Sequence, residues 1–388
     1  MARQGMDLNN LDKSNWQTYR FDQIAKNISE RVDPNNTDLK DYIGLEHIDP
    51  ESIHIKRTGT PDDVDGQKLR FYPGDVIFGR RRAYQRKAAI VTTDGFCSAH
   101  SLVLRANPDV IESKLFPFFL HSDTFMHRAV DISVGSLSPT INWGTLKYQE
   151  FMLPPKDQQA QLAELLWALD DVVEKEASVL QLIGIFIKSL QQYLYNKSTY
   201  KRTKLINYCF VLGGYAFPSS KFIDLGKAVI KIKNIVQGKI QLSHKENCVD
   251  ENEFPKIDKY KLKTGDIVIA MTGATLGKIG VVQEEFNGSY LNQRVGLFQA
   301  NDAVDKDFFY GIVNSDSFLQ ECSKYVGEGA QGNISSEDIL KCLVPKLAPD
   351  EMKINGEKFR ELYRSLDSAR LSISSSKKLQ KCLINQIF

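Results

Sequence analysis

Gly273, Gly277 and Lys278 lie in "MTGATLGKIG" (271–280), directly after the strand-like run "GDIVIA", and they are residue types from which phosphate-binding loops are made. In such a loop, backbone N–H groups cradle the phosphates and a lysine reaches the terminal ones. The spacing does not support that chemistry. Three residues, not four, separate the first glycine from the Gly-Lys pair, and Ile279 stands where a magnesium-binding hydroxyl is needed. The stretch reads instead as a turn between two strands, with its glycines supplying positive φ.

Other catalytic chemistries fail on spacing too. A DNA amino-methyltransferase needs a Gly-rich cofactor loop and an Asn-Pro-Pro-aromatic motif, whereas Asn107-Pro108 is followed by Asp109. The acids of "PDVIESK" (108–114) and "PDEMK" (349–353) are too compact to converge on a nuclease metal from adjacent strands, and both stretches read as turns or helix starts. Six histidines include no HExxH, and His121 and His127 stand six apart, off a shared helix face. No serine sits in a nucleophile-elbow pattern. These residue patterns point to a binder.

The positive signal is "GRRRAYQRKAA" (79–89), which sets Arg80, Arg81, Arg82, Arg86 and Lys87 around Tyr84 and Gln85. Arginine offers bidentate donors to guanine edges and phosphates, glutamine reads adenine, and tyrosine stacks or touches a phosphate. A solvated basic face is the plainer account of any charge run, so position in the fold has to decide.

That position comes from an internal repeat. At a shift of about 191 to 197 residues the second half lies over the first in order, as a tandem duplication does. "YPGDVIFGRRRAYQRKAAIV" (72–91) matches "KTGDIVIAMTGATLGKIGVV" (263–282), and "SAHSLVLRAN" (98–107) matches "NQRVGLFQAN" (292–301). Ser122-Asp-Thr-Phe125 matches Ser315-Asp-Ser-Phe318, and "GSLSPTINWGTL" (135–146) lies over "EGAQGNISSEDI" (328–339) with Ile141 and Ile334 in register. The frame repeats while the loop chemistry changes. A recognition surface predicts this, and so does drift in an idle loop.

The repeat nominates candidates in both halves. In the first, His100, Ser136, Ser138 and Asn142 join the basic loop. In the second, the candidates are Thr272, Thr275, Lys278, Asn292, Gln293, Arg294, Gln331 and Asn333, together with Lys233 and Asn234. Two modules that read different base edges recognise a split, asymmetric sequence.

Each half ends in an apolar-proline stretch, "FMLPP" or "CLVPKLAP", and enters a long helix. Leu162, Leu166, Leu169, Val173, Glu176, Leu180, Ile183, Ile187, Leu190 and Leu194 keep a 4-3 spacing, with nine of ten positions apolar. A helix from Pro155 to about Lys197 is roughly 60 Å long. Phe359, Leu362, Leu366, Ala369, Ile373, Ser376, Gln380, Leu383 and Ile387 form a second seam, seven of nine apolar. Antiparallel pairing of these helices relates the halves by a pseudo-two-fold axis. Glu176 either fixes register or extends to water.

Composition bounds the rest. The 388 residues, 42% apolar and 25% charged, suit two or three globular domains, and a net charge of +2 leaves nucleic-acid binding to local patches. Six scattered cysteines without a CxxC pair suit a reduced, cytoplasmic setting. The polar opening "MARQGMDLNNLDKSN" and the lack of any membrane-length apolar run predict neither a signal peptide nor a membrane span.

In their doubled order these features resemble the specificity subunit of type I restriction-modification enzymes. The strand pair "GDVIFG"/"GDIVIA", the segments "GEGAQGNIS" and "GSLSPTIN", and the helix entry "LPPKDQQAQLAELLWALDD" carry the resemblance. It implies an α+β fold of two tandem α/β target recognition domains in pseudo-two-fold arrangement, separated by two long antiparallel coiled-coil helices. The implied boundaries are 1–154 for the first recognition domain, 155–198 for the central spacer helix, 199–349 for the second domain and 350–388 for the C-terminal helix. Each domain would read half of a bipartite site in double-stranded DNA. The chain itself would be non-catalytic, would hold no cofactor and would contact no membrane. Its implied partners are two modification (methyltransferase) subunits and restriction (translocase/endonuclease) subunits, which would hold S-adenosylmethionine, ATP and magnesium. From the residues alone, a non-catalytic protein-binding adaptor built on a coiled-coil rod stays open.

Overall fold

The computed structural model describes residues 13–242, 247–326 and 332–388. Contacts gather the chain into two compact units, one of Met1–Ser178 with Leu371–Phe388, the other of Val179–Arg370. The division falls inside each of the two long helices, α2 (Lys156–Asn196) and α4 (Pro349–Ile387).

The first unit is built on an antiparallel sheet of β1 (Ala25–Ile28), β2 (Val76–Gly79), β3 (Ala88–Ile90) and β4 (Ser101–Ala106), in the order β1-β4-β2-β3. The run "VIFG" is apolar throughout because β2 is covered on both faces. Val76 and Phe78 enter one core cluster and Ile77 the other, as the period-two geometry of a strand requires. Before β2 the Asp75 carboxylate accepts the Tyr72 N–H at 2.9 Å and is held by Arg105 at 2.7 Å, so the Gly-Asp pair is turn chemistry.

The second unit repeats this sheet with β5 (Cys209–Gly213), β6 (Ile267–Ala270), β7 (Ile279–Val281) and β8 (Val295–Ala300), in the order β5-β8-β6-β7. Register repeats as well. Val76 pairs Ile90 and Leu104, while Ile267 pairs Val281 and Phe298, residue for residue where the sequence alignment puts them. The Asp266 carboxylate accepts the Lys263 N–H at 2.7 Å, as Asp75 does. A tandem duplication at the level of individual pairs is therefore observed. Two further strands, Gly238–Ile240 and Ile235–Val236, extend the second sheet beyond β7.

The repeated Ser-Asp-x-Phe is a helix start. Ser122 caps α1 (Asp123–Asp131) by accepting the Phe125 N–H, and Ser315 caps α3 (Asp316–Ser323) by accepting that of Phe318. Both phenylalanines are fully buried.

Each unit docks a stretch of both long helices. In the first, Leu162, Ala163 and Leu166 of α2 and Leu383, Ile384 and Ile387 of α4 share one core with Leu115 and Phe118. Asp170 meets Gln380 at 2.9 Å and Glu176 meets Ser372, so the two segments run antiparallel. In the second unit Leu190 and Leu194 pack with Phe308, Ile312 and Phe359. Every seam position named from the 4-3 spacing is buried or half-buried. Of the two readings of Glu176, the structure favours register, because its carboxylate accepts the Ser372 hydroxyl. Glu351, in "PDEMK", accepts the Ala348 N–H at 3.2 Å and starts α4, in keeping with a helix start rather than a metal site.

Polar docking contacts lie off the seam, where the apolar pattern gives no sign of them. Asp170, only 5% exposed, takes His54 Nε2 at 2.5 Å on one oxygen and Gln380 on the other. That hydrogen bond raises the His54 pKa against the opposing effect of burial. In the second unit the buried Gln191 amide donates to the carbonyls of Gly311 and Asn314 at 2.9 and 2.8 Å.

Candidate nucleic-acid interface

The loop between β2 and β3, and its equivalent between β6 and β7, each make a single 3-10 turn, Ala83–Gln85 in the first and Gly273–Thr275 in the second. Two left-handed residues fix its shape, Arg82 (φ 54°) and Arg86 (φ 52°) in one copy, Gly273 (φ 70°) and Gly277 (φ 78°) in the other. The glycines of "MTGATLGKIG" thus mark a backbone requirement, and β7 follows them in place of the helix a phosphate loop would need. An arginine held left-handed costs about 1 kcal/mol more than glycine would. The first copy bears that cost twice and retains arginine.

A second segment pins each loop through the same bonds. The Arg82 N–H donates to Pro139 O at 2.8 Å and the Ile141 N–H to Arg80 O at 2.9 Å. In the second unit the Gly273 N–H donates to Gly332 O at 2.9 Å and the Ile334 N–H to Met271 O at 3.0 Å. Arg81 bridges Thr140, and Thr272 bridges Asn333. A third segment joins from β4 and β8, where Arg80 N–H meets His100 O and Met271 N–H meets Arg294 O. The bonds that pin the loop are the same in both copies, while the side chains it presents differ.

In the first unit Arg80 donates to the Asn142 carboxamide at 2.8 Å and Arg81 reaches His100 Nε2 at 3.1 Å. Partial burial, then the charges of Arg81 and Arg80, lower the His100 pKa, leaving a neutral acceptor for Arg81 at neutral pH. Arg82 is exposed, Tyr84 is 57% exposed and Gln85 is half-buried. Ser136 is exposed and Ser138 half-buried on the neighbouring turn, beside Leu137, which is 92% exposed.

Two members of the basic run turn away from these residues. Arg86 points inward, with its guanidinium 2.7 Å from Asp123 and 3.5 Å from Glu51, and donates to His121 O. The Lys87 ammonium donates to Leu45 O at 2.5 Å. Beneath Arg86, burial pushes the His121 pKa down to about 4, so this histidine is a neutral core group that meets the Ala88 carbonyl at 2.7 Å.

The second unit presents a less charged surface. Lys278, Gln293, Arg294 and Asn333 are exposed and Asn292 is half-buried. Thr272 is buried, with its hydroxyl toward Gly332 O at 3.3 Å, and the Thr275 hydroxyl turns back to Thr272 O at 3.4 Å. Both threonines shape the loop. Asn234 is 2% exposed and its carboxamide accepts the Lys231 N–H and donates to Gln241 O, so it closes a turn. Lys233, in the same turn, is exposed. Gln331 lies outside the described residues. The sequence candidates omitted Pro139 and Thr140, whose part is played by the backbone; the register of Ile141 with Ile334 was the available signal.

Comparisons with known proteins agree with this doubled design. The family model described as the type I restriction modification DNA specificity domain matches twice, over residues 13–183 and 198–366. The chain is 24% identical over 254 residues to the type I restriction enzyme MjaVIII specificity subunit of Methanocaldococcus jannaschii, covering 60% of each chain. It is 30% identical over 175 residues to the EcoDI specificity subunit of Escherichia coli, covering 42% of this chain and 38% of that one. The matches thus span about 60% and 38% of the lengths of these two relatives. In fold it is similar to the crystal structure of the type I restriction-modification system S subunit from M. genitalium, with a TM-score of 0.59, 14% identity and 98% of both chains covered. With the domain model matched in both halves, the chain belongs to the type I restriction-modification DNA specificity family.

Proposed function

We propose that this chain is the DNA-reading subunit of a type I restriction-modification complex, each unit reading one half of a bipartite, asymmetric site. The observation that carries this reading is a loop pinned by matching backbone bonds in both units that displays a cluster of arginines in one and a mixed set, Lys278 with Gln293, Arg294 and Asn333, in the other. Direct readout needs this combination: a rigid backbone that fixes where side chains go, and different side chains for different base edges. Arg80, Arg81, Arg82, Tyr84 and Gln85, with His100 and Asn142 behind them, serve the first half-site; Lys278, Gln293, Arg294 and Asn333 serve the second. The chain directs modification and restriction subunits to the site, and S-adenosylmethionine, ATP and magnesium belong to those partners, in the cytoplasm.

Binding of the full-length chain to a labelled DNA duplex should weaken steeply as salt rises, because each neutralised phosphate releases counterions and contributes about −0.9 to the slope of log K against log salt. A slope near zero, with tight binding to a protein or peptide instead, would favour the adaptor.

A further inference from the structure

The two units also differ beside the loop. In the second unit a cleft of about 1140 Å³ opens between the loop and the α4 segment of that unit. Its counterpart in the first unit holds about 340 Å³. The two are the same place in the repeat: Arg86 and His121 line one, and Gly277 and Asn314, which stand at the matching positions, line the other. The two clefts differ at the loop position itself. Arg86 lines the first cleft, held by Asp123 and Glu51, whereas Gly277 has no side chain to project.

Charge separates the clefts as well. In the first, four basic side chains face four carboxylates, with Lys381 on Glu51 at 2.6 Å and Lys56 on Glu174 at 2.9 Å. In the second, five basic side chains face three carboxylates. Each of those carboxylates is engaged: Asp307 with Arg360 at 2.7 Å, Asp316 with Lys188 at 3.1 Å, and Asp367 with Lys239 at 3.0 Å. Lys278 at the end of the loop and Arg364 and Arg370 on α4 supply the excess, Arg364 holding only a surface contact of 3.5 Å with Glu361 and Arg370 sharing Asp367 at 3.5 Å. An open, positively charged groove that continues a base-reading loop is chemically matched to a sugar-phosphate strand.

We infer that this cleft seats the DNA backbone flanking the second half-site, with Lys278 and Arg364 contacting phosphates, so that α4 is part of the DNA-binding surface. The inference rests on the DNA-reading function proposed above. It also assigns the phosphate grip unequally, because the matching cleft in the first unit is smaller and its basic side chains are balanced by carboxylates.

The test is fluorescence anisotropy of the full-length chain with a fluorescein-labelled duplex of random sequence, titrated over a range of salt. The double variant Lys278→Ala/Arg364→Ala should lower the salt slope by about 1.8, roughly 0.9 for each lost phosphate contact. Arg364→Lys should keep the wild-type slope, as should Lys56→Ala in the first cleft. Circular dichroism melting confirms folding, and if the alanine pair fails to fold, Arg364→Glu alone should still lower the slope. A wild-type slope retained by the double variant overturns the role of the cleft and leaves the DNA-reading function standing. A wild-type chain without salt-dependent binding overturns both.

Discussion

Alanine at Arg80, Arg81 and Arg82 together should abolish discrimination at one half of the DNA site and leave the other half unchanged. These side chains stand on a loop whose backbone is fixed by bonds to Pro139 and Ile141, bonds that alanine preserves. A good bidentate contact to a base is worth about 1–3 kcal/mol of discrimination, so losing two costs about 2–6 kcal/mol, from about 30-fold to about 25,000-fold. Stability should change little, because all three side chains are exposed or half-exposed and their bonds to Asn142 and His100 are surface contacts. Mapping the bases methylated in cells that carry the variant should show a motif degenerate on one side of the gap and intact on the other. Equal loss on both sides, with the same loss on random DNA, would mean that the arginines touch phosphates alone.

Phe125→Ala should have the largest effect on stability, about 3–5 kcal/mol in the first unit. Phe125 is fully buried, and the rings of Phe21, Phe78, Phe119 and Phe151 lie around it with centroids at 5.3, 5.5, 5.5 and 5.6 Å. Truncation removes its transfer free energy and opens a cavity among rings that cannot collapse together. Phe318, its equivalent in the second unit, meets the Phe298 ring at 6.4 Å, and alanine there should cost less. Hydrogen exchange should show protection lost from β1–β4 in Phe125→Ala and retained in β5–β8. A change below about 1 kcal/mol would contradict the packing described.

Much of the scaffold was legible in the sequence because scaffolds are periodic. The doubled "GDVIFG"/"GDIVIA" marked two strands and the loop between them in each half, and the 4-3 spacing marked the face each long helix buries. Side-chain direction was less legible. Arg82 and Arg86 are the same residue type four positions apart, yet the turn aims one outward and carries the other in to Asp123. Asn234 and Thr272 have the composition of readers but spend their polar atoms on local carbonyls and N–H groups, which short polar side chains do readily near turns. Asp170 and Gln191 show the converse: hydrophobic periodicity marks what packs and is silent about a polar group buried beside the seam. The left-handed arginines became visible only when the glycines in the other copy showed what the backbone demands there.

The central claim is that two units with one frame and different side chains read different sequences across a gap. Sequencing that detects methylated bases in cells carrying this chain and its modification partner tests it most directly. The account predicts a split motif with two unequal halves separated by unspecified positions. A short uninterrupted palindrome would contradict it.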